Sequence, residues 1–123
     1  MLTLATDLKI YVYAKPTDMR KGINGLSGIV REEFSADPTD GSLFVFINRC
    51  RNRLKMLYFD GGGFWLYYRV LEAGTFEAVP TDGRSAVVRM DTTQLAMLLA
   101  GVSLVASRRR RKRFSQKRST RAA

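Results

Sequence analysis

The sequence contains no histidine. That absence excludes Ser-His-Asp and Cys-His catalysis, histidine-dependent metal nucleases and most zinc enzymes. Cysteine is nearly absent too. Cys50 alone makes neither an internal disulfide nor a Cys-rich zinc site, so nothing points to an oxidising compartment. Long hydrophobic runs are missing. The longest nearly apolar stretch, Leu95 to Ala106, falls well short of the roughly 20 residues that span a bilayer. Asp7, Lys9 and Lys15 interrupt any apolar run near the start, which argues against a signal peptide. The expectation is a cytoplasmic protein with no membrane partner.

One further absence organises the chain. From Ser107 onward there is no acidic residue, yet nine of the 21 Lys+Arg residues lie there, Arg108, Arg109, Arg110, Arg111, Lys112 and Arg113 consecutively. The preceding residues carry the other 12 basic residues against all 11 acidic ones. The net charge of +10 is therefore a near-neutral body with a cationic tail. We expect one domain over 1–106, and over 107–123 a tail with too few apolar residues to pack, disordered when alone.

The body reads as α+β. Ile10–Ala14 is dense in β-branched and aromatic residues and is expected as a strand ended by Pro16. Asp18 is a candidate N-cap for a helix reaching Phe34, with Met19, Ile23, Leu26, Val30 and Phe34 on one apolar face. Gly22, Gly25 and Gly28 fall within that span, at a spacing that suggests a smooth stripe lying close against a sheet. Strand-like segments follow at 43–47, 53–59, 64–71, 76–79 and 85–90, joined by turn sequences such as NRCRN and DGGG. The central strands, 64–71 above all, read as apolar on both faces, so the expected architecture is a curled antiparallel β-meander, a partial barrel of five to six strands, unless the second face is buried under the helix or a partner. One N-terminal and one short C-terminal helix would pack on it. Asp91 and Gln94 have capping-box spacing for the second helix, and Gly101 suits its C-terminal end.

Positive charge is the main functional signal. The tail would gain by releasing counterions from a polyanion. Arg49, Arg51, Arg53 and Lys55 form a second cluster in a stretch without acidic residues. Alternation puts Arg53 and Lys55 on one strand face, and Trp65, Tyr67 and Arg69 on one face of the adjoining strand. In matching register they would form a basic edge leading onto an aromatic platform that stacks bases; otherwise Trp65 and Tyr67 are core. Arg20 and Lys21 fall in the first turn of the expected helix, where a phosphate would be welcome; alternatively Arg20 pairs with Asp18. Gly61, Gly62 and Gly63 run into an aromatic strand and read as a hairpin turn, not a nucleotide loop. Asp60 with Glu72, Glu77 or Asp82 is a weak candidate for a metal nuclease, since no spacing forces these carboxylates together. Cys50 between arginines is expected to be an incidental thiol.

DMRKG (18–22), GLSGIV (25–30), the run 42–76, QLAMLLAG (94–101) and RRRRKRF (108–114) together resemble the Orf2-like TnpB accessory proteins of bacterial insertion sequences of family sixty-six. The resemblance implies a non-catalytic accessory protein, without cofactor or small-molecule substrate, acting beside a separate DDE-type transposase and other accessory proteins of the same element. Cys50 and Asn52 are atypical of its hairpin. Gly62 stands where a second Asp is commoner, and Val102–Ser103 replace Ile-Asp. DNA contact is the inference from charge; a protein–protein adaptor and an RNA-binding protein are the alternatives.

Overall fold

The computed structural model describes residues 7–101. The tail expected over 107–123, the end of the domain expected over 1–106, and the basic residues Arg108–Arg113 lie outside the described residues. The element order is β1 (Ile10–Tyr13), α1 (Ile23–Glu33), β2 (Leu43–Ile47), β3 (Arg53–Asp60), β4 (Gly63–Val70), β5 (Val87–Met90) and α2 (Thr92–Leu99). The α+β class, five strands and two helices agree with the sequence reading.

The curl into a partial barrel does not. The strands form one open sheet in the order β4-β3-β2-β1-β5. The sheet is mixed, because α1 carries the chain from the end of β1 back to the start of β2, and such a crossover makes the two strands parallel. The remaining pairings are antiparallel. β5 returns to the outer side of β1, so β4 and β5 are left as the two edges.

Both faces are covered over the central strands, which explains the wholly apolar β2, whereas Trp65, Tyr68 and Val70 of the edge strand β4 stay exposed. On one face α1 lays Leu26 and Val30 over Tyr13, Phe44, Phe46 and Leu57, with the Phe34 ring 5.4 Å from Phe44 and 5.8 Å from Phe46. On the other, α2 lays Leu95 and Leu98 over Ile10, Val12, Leu43, Val45 and Met90. β2 is buried at every position because it lies between these layers. Each such fully buried large side chain contributes about 1.5–3 kcal/mol relative to exposure.

Three local expectations change. Residues 76–79 form no strand. Phe76 instead drops into the α2-side core, and its N–H donates to the Arg51 carbonyl at 2.6 Å, so this long connection is pinned across the sheet end without joining the ladder. Helix α1 begins at Ile23, not after Asp18, with Gly22 as its N-cap. The glycine stripe is no close-approach surface. A Cβ at Gly22 or Gly28 would meet nothing within 4 Å, and at Gly25 its nearest neighbours would be atoms of the Lys21 side chain, from 3.1 Å, and not the sheet. At α2, by contrast, the full capping box forms: Gln94 N–H donates to Asp91 Oδ1 at 2.7 Å and Asp91 N–H to Gln94 Oε1 at 3.0 Å. Gly101 follows with φ +78°, the left-handed conformation expected after a helix end.

Candidate nucleic-acid interface

The β2–β3 turn is built by Asn48. Its Oδ1 accepts from the N–H groups of Asn52 and Arg53, both at 3.0 Å, and its Nδ2 donates to Asn52 Oδ1 at 2.8 Å. The Asn48 carbonyl accepts from Arg51 N–H at 3.1 Å. With its ends clamped, the turn holds Arg49, Cys50 and Arg51 outward, all exposed. Arg51 takes φ +55°, a left-handed conformation that costs a non-glycine residue roughly 1 kcal/mol. Because β1 and β2 are parallel, the end of β1 arrives beside this turn. Lys15, Arg49, Arg51 and Glu77 consequently line one cleft of about 160 Å³. Lys15 was missing from the sequence-based cluster. A β1–helix–β2 crossover, once recognised, would have placed it there.

The segment 18–22 packs on the α1 side of the same sheet end, and Lys55 holds it down. Lys55 is only 8% exposed, and its Nζ donates to the carbonyls of Met19 at 2.8 Å and Lys21 at 2.9 Å. It also lies 4.9 Å from the Tyr68 ring centroid. Lys55 therefore drops out of the expected nucleic-acid contacts: its ammonium is committed to the backbone beneath the turn. What it displays is Lys21, exposed on the surface above it.

Arg20 resolves to the pairing alternative. Its guanidinium grips the Asp18 carboxylate, Nη2 donating to Oδ2 at 2.7 Å and Nε to both oxygens at about 3 Å. Side-chain and backbone hydrogen bonds from Arg20 pull the Asp18 carboxyl down to about 2. Neither Arg20 nor Lys21 lies in the first helical turn, so no dipole-assisted phosphate site forms there as envisaged.

Register decides the aromatic question. Arg53 pairs with Val70 and Lys55 with Tyr68, while Trp65, Tyr67 and Arg69 pair with Tyr58, Met56 and Leu54. Trp65, Tyr67 and Arg69 thus share one face, but it is the face opposite Arg53 and Lys55. The basic edge does not run onto the Trp65–Tyr67 platform. Arg53 meets Tyr68 instead, Nη1 donating to its hydroxyl at 3.1 Å. Trp65 is no core residue: it is 55% exposed, with its ring 6.2 Å from and nearly parallel to Tyr67.

The two ends of the sheet differ in charge. Lys15, Arg49, Arg51 and Arg53 gather where β1 and β2 finish. At the opposite end lie Asp7, Asp40, Asp60 and Asp91, with Lys9. Asp60 is thereby separated from Glu72, Glu77 and Asp82 by the length of the sheet. Among the described residues, no group of three or more His, Cys, Asp or Glu side chains is placed to hold a metal ion. No helix among them is long and apolar enough to cross a membrane.

The family described as IS66 Orf2 like protein matches residues 8–109. An uncharacterized protein of Sinorhizobium fredii, y4jC, is 34% identical over 123 residues, all of both chains. A second from that organism, y4hO, is 32% identical over 102 residues, covering 83% of this chain and 87% of its own. No solved structure matches the chain.

Proposed function

For a chain that belongs to the IS66 Orf2-like family, with the insertion-sequence accessory role this implies, we propose a non-catalytic protein that holds DNA for the element's transposase. The observation that carries the reading is the gathering of Lys15 and Arg53 at one sheet end beside Arg49 and Arg51 on the turn clamped by Asn48, four cations against Glu77, which lines the cleft with Lys15, Arg49 and Arg51. A rigid cationic projection suits the sugar–phosphate backbone, and such contacts position a protein without reading sequence. Lys21 extends the surface onto the α1 side; Arg69 lies on the other face of the same end. Arg108–Arg113 supply the bulk of the charge. Work on DNA inside the bacterial cell requires a cytoplasmic location.

The test is duplex affinity measured across a salt series. If all nine tail charges neutralise phosphates, the log–log slope approaches about −8, at about −0.9 per phosphate. Removing residues 107–123 should flatten that slope strongly. Replacing Arg49, Arg51 and Arg53 by Ala in the full chain should weaken binding further without unfolding the protein. Copurification with the transposase that survives both changes, with no duplex affinity in the parent chain, would replace DNA contact by a pure adaptor role. Preference for structured RNA over duplex DNA would move the function to RNA.

A further inference from the structure

The exposed large hydrophobic side chains among the described residues are Trp65, Tyr68 and Val70, at 55%, 48% and 46%. All three lie on β4, the edge strand, and they do not share a face. Trp65 projects on the α2 side and Tyr68 and Val70 on the α1 side. A helix or loop docking on one face would cover only some of them. An added strand, which continues both faces at once, would cover them all. β4 also has none of the devices that blunt an edge. It is eight residues long, contains no proline or lysine, and carries one charge, Arg69. The other edge, β5, is four residues long and presents Arg89.

The occupant can be read from the register. Gly61 and Gly62, with φ +59° and +96°, make a two-residue hairpin turn that closes on the Asp60–Gly63 pair. From there the ladder alternates, so residues 63, 65, 67 and 69 bond to β3, while Phe64, Leu66, Tyr68 and Val70 aim their N–H and C=O groups outward. We propose that β4 pairs antiparallel with β4 of a second copy, about a two-fold axis at Tyr67. This is the register that engages all four outward residues: Phe64 with Val70 and Leu66 with Tyr68 of the other copy. It sets Trp65 of each copy opposite Arg69 of the other, in the closer, non-hydrogen-bonded type of pair, and Tyr67 opposite itself. The strand's single charge thus meets the face of its most exposed aromatic ring, a favourable cation–π pair made twice. The two five-stranded sheets become one of ten.

Sedimentation of the full chain, free of nucleic acid at about 0.5 M salt to suppress bridging by polyanions, should give twice the chain mass of 13.9 kDa. Trp65→Arg sets Arg against Arg69 twice and should raise the dimer dissociation constant about tenfold or more; adding Arg69→Glu should restore it. Cross-linking gives an independent reading in a Cys50→Ser background. Tyr67→Cys should form an intermolecular disulfide on oxidation, since facing Cα atoms in such a pair lie about 4.5 Å apart. Tyr68→Cys, displaced from its own copy, should not. A monomer at all concentrations, or a dimer indifferent to Trp65→Arg and cross-linked equally by both cysteines, overturns the proposal. So does a monomer whose β4 is occupied only by a transposase strand. None of these readings involves DNA, so they stand apart from the DNA-binding assignment.

Discussion

Lys55→Met offers the sharpest test of the reasoning, because it changes one atom group at a site where charge and position disagree. Methionine keeps the length and the packing of the stem but removes the ammonium. Two hydrogen bonds are lost, to the Met19 and Lys21 carbonyls, together with the cation over the Tyr68 ring. Hydrogen bonds made by a charged group are worth about 1.5–3 kcal/mol each. The carbonyls lie in a surface turn and regain part of this from water, leaving a net loss of about 2–4 kcal/mol. For a domain of this size each kcal/mol moves the melting temperature by about 5 °C, so Tm should fall by about 10–20 °C. The readouts are urea unfolding for the free energy and calorimetry for Tm. At a temperature where both proteins are folded, duplex affinity should drop only as far as the 18–22 turn loosens, by less than for Arg49→Ala plus Arg51→Ala. A Tm within about 2 °C of the parent, combined with a large loss of DNA affinity, would refute the structural role and return Lys55 to the phosphate-contacting set.

Arg51→Gly should act in opposite directions on two measurements. Relief of the left-handed backbone at φ +55° should raise unfolding free energy by about 0.5–1 kcal/mol, while loss of the guanidinium weakens duplex binding. Asp91→Ala removes the capping box of α2 and should cost about 1 kcal/mol in urea unfolding. The Asp18 carboxyl, lowered to about 2 by Arg20, contributes stability that is fully present above its ordinary value near 3.8 and disappears as pH falls through about 2. Carboxyl-carbon NMR should place its midpoint near 2, and in Arg20→Ala the midpoint should climb back toward 3.8. An unchanged midpoint would break the assigned pair.

What could be read from the residues was whatever depends on neighbours in sequence. The α2 capping box needs only Asp91 and Gln94; the β3–β4 hairpin needs only Gly61–Gly62 between two alternating strands. The doubly apolar pattern read in 64–71 belongs to the edge strand β4, whereas the strand buried between two layers is β2. What could not be read was partnership across distance. Strand β1 gives no local sign that it pairs parallel to β2 and antiparallel to β5, and that choice separates an open mixed sheet from a curled meander. Alternation placed Arg53 with Lys55, and Trp65 with Arg69, but register alone assigns the two sets to opposite faces. The burial of Lys55 was invisible for a similar reason, since its acceptors lie more than thirty residues away on backbone that carries no sequence signature. Lys15 was overlooked because its neighbours in the cleft come from another part of the chain.

The position of β1 has a consequence for how the protein comes into being. Its two ladder partners are distant in the chain: Ile10 sits between Leu43 and Met90. The β3–β4 hairpin, joined by two residues, closes its ladder locally and is expected within microseconds of becoming available. β1 must instead wait, first for the α1 crossover to bring it to β2 and then for nearly the whole domain before β5 arrives. Long-range pairing of this kind is slow because loop closure is entropically costly before any contact rewards it. Among the described strands, the earliest in the chain is thus the last to be sealed. Through most of synthesis one flank of IYVY stands open, and the order of translation runs opposite to the order in which the sheet is completed.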